Sequence, residues 1–170
     1  MTQFTISQAL RKIKRLKGPM GELSSRAASS VSYLADQKPS FDFAETRKKL
    51  DEAREELIKL RSGVAAANGV TLITWEDKQI TLAEGIARLQ EFKAEMSWLQ
   101  ALNLQEGSTT ESYYDYDDNS RRVRCEKVIT WKSHLSETSR VDEIDTLKDK
   151  FEDLNSRVES ANHSTRLKLE

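Results

Sequence analysis

One cysteine, two prolines and six glycines in 170 residues close several structural routes to this chain. The single thiol, Cys125, makes no intramolecular disulfide, so a cross-linked extracellular scaffold is excluded and a reducing, cytoplasmic setting is expected. So few turn residues in a chain that is 32% charged argue against a many-stranded sandwich or propeller, and for long helices with solvated outer faces. Long apolar runs are missing too. The longest uncharged stretch, Ser62 to Trp75, contains Asn68 and Gly69 and falls short of the roughly 18 apolar residues that a membrane span requires. Nor is there a large net charge: the formal value is -1, so attraction to nucleic acid or an anionic surface would need a local patch. The basic, acid-free first 21 residues superficially resemble a targeting peptide, but no secretory apolar region or small-residue cleavage site follows. Leu169-Glu170 resembles the scar that often precedes a purification tag and is given no functional weight.

What the chain does have is helical periodicity. Thr5-Ile6-Ser7-Gln8 is a capping box, and the stripe Ile6, Ala9, Ile13, Leu16, Met20, Leu23, Ala27, Val31 and Leu34 keeps three-and-four spacing across Gly18-Pro19, which predicts one helix with a kink. Gln37 to Phe41, with Pro39, predicts the turn after it. Phe43, Thr46, Leu50, Ala53, Leu57, Leu60, Val64 and Ala67 predict a second helix that closes at Asn68-Gly69 through a left-handed glycine. Two such helices joined by a short turn should form an antiparallel hairpin.

Val70 to Trp75 reads as a short strand and Glu76 to Gln79 as the polar turn after it. Thr81-Leu82-Ala83-Glu84 is a second capping box, opening a third helix whose stripe runs from Leu82 through Leu102, with Trp98 beside it. Helical periodicity stops at Gln105. Val123, Cys125, Val128, Thr130 and Trp131 suggest a β-hairpin at about 108–133, turning at Asp117-Asp118-Asn119-Ser120, with a bulge near Lys127. A last helix is expected from about Val141 to Ala161. The runs after Ala67-Asn68 and Ala161-Asn162 echo one another and are expected to pair or lie close together. The fold class is therefore mainly α: an antiparallel bundle of four helices with a coiled-coil-like long hairpin and a small β-hairpin accessory, in one domain over 1–170.

Ala67-Asn68, then Thr81-Leu82-Ala83-Glu84-Gly85-Ile86-Ala87-Arg88, the terminal Asn162-x-x-Thr165-x-Leu167 and the opening Gln8-Ala9-Leu10 resemble the blocks of a family of small bacterial helical proteins that carries the name septicolysin. The resemblance implies a bacterial helical protein and no defined activity. Gly85 stands where that family has alanine and His163 where it has tryptophan, and the 105–122 region is longer. The family name suggests pore formation, which this sequence does not support: it has no secretion signal, tryptophan-rich insertion loop or long amphipathic strand pair.

Three groups of residues carry candidate chemistry. Asp115, Asp117, Asn119 and Glu126 fall at offsets one, three, five and twelve of a calcium loop, although Ser120 replaces the glycine needed at six. Arg11, Lys12, Lys14, Arg15 and Lys17 give the first 21 residues a charge of +5, suited to phosphates or to an acidic partner. Residues 106–118 carry -5, so docking of one segment on the other, within or between subunits, is a rival to nucleic-acid binding. Tyr113, Tyr114 and Tyr116 suit an interface, because tyrosine offers large contact area at low entropy cost. Catalysis would need a nucleophile, base or metal held together, and Cys125, His134 and His163 show no recognised spacing. The sequence thus reads as a non-enzymatic, self-associating scaffold or interaction protein, homo-oligomeric, without a cofactor, and open to an unidentified protein partner. The alternatives are a nucleic-acid-associated protein using the basic N-terminal helix and a cation-binding module at the acidic hairpin.

Overall fold

The structure, a computed structural model, describes residues 4–168. Helix α1, Ile6–Ser30, opens with the expected capping box: Gln8 N–H donates to Thr5 Oγ1 at 3.3 Å, and Thr5 N–H donates to Gln8 Oε1 at 2.9 Å. It continues through Pro19 as one element. It stops short of Leu34, however. The Ser29 and Ser30 hydroxyls donate back to Arg26 O, and Val31, Tyr33 and Leu34 lie exposed beyond the helix end instead of extending its stripe.

Helix α2, Phe43–Val70, is capped by Asp42, whose Oδ1 accepts from Glu45 N–H at 2.8 Å. Lys12 of α1 pairs with Glu56 on α2, and Arg26 lies 5.2 Å from the ring of Phe41, just before α2 begins, so the contacts move back toward the start of α2 as they advance along α1. The two helices form the antiparallel hairpin that their stripes require. The C-terminus departs from expectation: Gly69 stays helical, and Thr71, in extended conformation, closes the helix by donating N–H to Ala67 O at 2.9 Å. Thr71 O then accepts from Leu82 N–H at 2.8 Å, so sheet pairing takes over where helix bonding ends and no left-handed glycine is needed.

The polar tetrapeptide is not one turn. Strand β1, Leu72–Trp75, pairs antiparallel with β2, Lys78–Thr81, leaving only Glu76 and Asp77 between them, at φ 46° and 60°. Positive φ at both positions is the primed turn whose twist matches that of paired strands. Ile73, Trp75 and Ile80 bury one face of this hairpin. Asp77→Gly is expected to raise stability by about 0.5 kcal/mol. Removing the left-handed strain of about 1 kcal/mol is partly offset by glycine's extra freedom in the unfolded chain. A thermal melt should show the midpoint rising by a degree or two.

Helix α3, Leu82–Ala101, follows directly, with Thr81 Oγ1 accepting from Glu84 N–H at 3.1 Å. Strands β3, Gly107–Tyr116, and β4, Arg122–Trp131, form a second hairpin. Helix α4, Glu137–Ser164, starts four residues before Val141 because Ser136 Oγ caps it by accepting from Ser139 N–H at 3.1 Å. It ends as α2 does, Thr165 N–H donating to Ala161 O at 2.9 Å. The sequence echo is thus an echo of helix endings, and the two runs do not pair. Residues after Thr71 pair with β2, whereas Ile6 N–H donates to Thr165 O at 3.0 Å and Leu167 N–H to Phe4 O at 2.8 Å, bridging the N-terminal segment. Ile73 and Ser164 nevertheless border one shallow cleft.

The described residues divide into two compact units. One comprises the described residues up to Leu89 with those from Asp153 onward; the other is Gln90–Glu152, so α3 and α4 each contribute to both. The first unit buries Ile6, Leu60, Leu82 and Leu154 completely or nearly so. Arg157 joins its parts, Nη1 donating to Thr74 O at 2.8 Å while Nε contacts both Asp153 oxygens. That carboxylate raises the Arg157 guanidinium further above its ordinary value. On α2, the Arg47 hydrogen bond, seconded by Arg54, holds the Asp51 carboxyl below the usual carboxylate range. In the second unit, Leu99 and Ile144 are buried, Lys93 lies over the Phe151 ring and Arg140 Nη1 donates to Leu102 O at 3.2 Å.

Candidate interaction surface

The hairpin of β3 and β4 is a continuous ladder from Gly107↔Trp131 to Tyr116↔Arg122. Lys127 pairs with Glu111 in unbroken register, so there is no bulge there. At about 3.4 Å per residue the ribbon is about 34 Å long. Its turn extends one residue beyond the expected four. Asp117 Oδ1 accepts from Asn119 N–H at 3.0 Å and Arg121 N–H at 2.7 Å, and Ser120 takes φ 56°. Every β3 residue is exposed, and on β4 only Cys125 and Ile129 are half-buried.

Cross-strand partners share a face, and successive residues alternate. The register therefore sorts the ribbon into two unlike sides, so a long amphipathic strand pair is present, contrary to the expectation from the sequence. One carries Trp131, Ile129, Tyr113, Cys125 and Val123, with Glu111 directly opposite Lys127. The other is polar and internally partnered: the Ser108 and Thr130 hydroxyls are 3.0 Å apart, Arg124 Nη2 donates to Ser112 Oγ at 2.8 Å, and Arg122 stacks 4.0 Å from the Tyr114 ring. The tyrosines divide accordingly, Tyr113 on the apolar side and Tyr114 with Tyr116 on the polar side.

This register also disperses the proposed cation ligands. Glu126 lies opposite Ser112 on the polar face, and Asp115 lies opposite Val123 on the other, three positions further along. Asp117 uses its carboxylate on backbone amides of the turn, and Asp115 Oδ1 accepts from Tyr116 N–H. A calcium loop needs its ligands curled around one point, which an extended ladder does not provide. Among the described residues, no three His, Cys, Asp or Glu side chains gather into a metal-binding group.

The basic N-terminal residues lie on α1 but do not act as one free patch. Lys12 is bound to Glu56 and sits 5.1 Å from the Phe4 ring, and Arg11 Nη2 donates to Ser7 Oγ at 3.2 Å. Arg11 and Arg15 border one shallow groove with Phe4, and Arg11 and Lys14 border another with Asn162 and His163. Lys17 is exposed. Asn162 Oδ1 and its counterpart Asn68 Oδ1 are both buried without a hydrogen-bond partner. Cys125 faces Tyr113 across the ribbon, His134 follows β4 and His163 ends α4. Sequence reasoning missed the sidedness of the ribbon, and with it Ile129. Its signal was the period-two run Val123, Cys125, Ile129 and Trp131, obscured by the parallel spacing of Val128 and Thr130.

Among the described residues the protein is thus mainly helical, with four helices and two small antiparallel hairpins, one of them an exposed amphipathic ribbon. Over residues 14–167 it matches the model of a family of unknown function (DUF6847), and the chain belongs to that family. A structure described as a functionally unknown conserved protein from Corynebacterium diphtheriae is similar in fold, with a TM-score of 0.65 and 14% identity over 98% of this chain and 100% of that one. A comparison with curated proteins found no match. No helix among the described residues is long and apolar enough to cross a membrane.

Proposed function

We propose that this chain is a non-catalytic interaction protein that works by self-association. The observation carrying the reading is a two-stranded ribbon, ten residues in each strand, whose apolar face leaves Trp131, Tyr113 and Val123 exposed while Cys125 and Ile129 are half-buried. Trp131 is 47% exposed and Tyr113 also 47%, alongside Val123. An isolated two-stranded hairpin is marginal in water, so a long one with an uncovered apolar face implies a partner. A further exposed apolar group, Val31, Tyr33, Leu34, Phe41 and Phe43, clusters in sequence around the α1–α2 connection.

Size-exclusion chromatography with light scattering over a concentration series tests this, absorbance being read at 260 and 280 nm. The expected result is a mass rising with concentration to a defined multiple of 19.4 kDa with a protein-like absorbance ratio. A monomer at every concentration would remove the reading. A 260 nm signal lost at high salt would move the function to Arg11, Lys14, Arg15 and Lys17.

A further inference from the structure

We infer that the partner of the ribbon's apolar face is the same face of a second copy, stacked about a two-fold axis running along the ribbon. This rests on the self-association reading above and specifies its surface and geometry. A two-fold axis parallel to the strands places β3 of one copy over β4 of the other and leaves every residue at the height of its own cross-strand partner. Each ladder pair therefore meets itself reversed. Glu111 and Lys127 are directly opposite in one copy, so across the axis each Glu111 faces a Lys127. Gly107 is directly opposite Trp131, so each indole comes down over a position without a side chain. Tyr113 faces Cys125 in the same way.

The competing two-fold, perpendicular to the strands, stacks β3 on β3, a strand carrying Glu111 and Asp115 but no basic residue, and so sets like charges together. On this face β3 carries Glu111 and Asp115 and β4 carries Lys127, while Arg122, Arg124 and Glu126 lie on the other. Charge and size thus select one arrangement, an isologous closed dimer. The polar face is less suited to the same role, because its Ser108, Ser112 and Thr130 hydroxyls and both guanidinium groups already have partners within the ribbon. A face two strands wide and about 34 Å long lies at the small end of specific interfaces, so the dimer should be concentration-dependent, with a dissociation constant on the order of micromolar.

The test is sedimentation equilibrium of the full chain, with circular dichroism confirming that each variant is folded. Ile129→Lys, on the apolar face, should raise the dissociation constant at least about a hundredfold by placing an unpaired charge in the interface, whereas Val128→Lys, one residue away on the other face, should leave it within about twofold. Glu111→Lys and Lys127→Glu should each be monomeric alone, yet form a heterodimer when mixed in equal amounts, since every charge then faces its opposite. That mixing result would support this face as the interface even if Ile129→Lys failed to fold. An oligomeric wild type indifferent to Ile129→Lys and to the mixed charge variants would overturn this surface and leave self-association standing. A wild type monomeric throughout would overturn both.

Discussion

Leu154→Ala is expected to lower the thermal unfolding midpoint by about 10 °C. Leu154 is 0% exposed on α4, and one of its methyl carbons lies 3.6 Å from where a side chain at Gly85 would begin. Truncation removes the transfer free energy of its methyl groups and leaves a void between α3 and α4 that well-packed neighbours close only in part. The combined cost is about 3 kcal/mol, a large share of the stability of an ordinary domain. At about 3 °C per kcal/mol for a chain of this length, the shift is readily measured by circular dichroism. Ile58→Ala, at a position 57% exposed on α2, is the matched control and should change the midpoint by a degree or two at most. Equal shifts from both substitutions would contradict the placement of the core.

Gly85→Leu is expected to be comparably damaging for the opposite reason. A Cβ at Gly85 would sit 3.0 Å from Ile73 Cδ1 and 3.3 Å from Val158 Cγ2, so α3, β1 and α4 meet there with no space for a side chain. A leucine would force the elements apart at a cost of about 3 kcal/mol. Gly85→Ala isolates the balance. Helix propensity favours alanine by about 1 kcal/mol, and the contact with Ile73 opposes it. Ile73→Val shortens the side chain that a Cβ would first meet, so Gly85→Ala combined with Ile73→Val should be more stable than the two single effects added together imply. A double-mutant cycle by urea unfolding measures that coupling, and strict additivity would rule out the proposed contact.

Much of the helical architecture was legible in the residues because a helix buries a periodic face and satisfies its own backbone. The stripes of α1 and α2, the capping box at Thr5 and the Thr81 cap before α3 appear where local chemistry places them. Errors fall at element ends, where bonds to other segments compete. Val31 and Leu34 continue the α1 pattern but find nothing to pack against, so the helix stops at Ser30. Gly69 had the right residue type for a left-handed cap, but the strand pairing begun at Thr71 makes one unnecessary.

For the candidate surface the division is sharper. The sequence by itself determined that residues 106–118 are acidic and tyrosine-rich, that β-type residues follow, and that no recognised catalytic motif is present. Which side chains share a face was undecided, because shifting strand pairing by one residue exchanges the faces of a ribbon. The tertiary structure decided that register. It set the acidic strand against Arg122, Arg124 and Lys127 of its own hairpin, spread Asp115 and Glu126 onto opposite faces, and gathered Tyr113, Cys125, Ile129 and Trp131 onto one. Helical periodicity is written locally in the chain, whereas the pairing of residues as far apart as Gly107 and Trp131 exists only once the hairpin has closed.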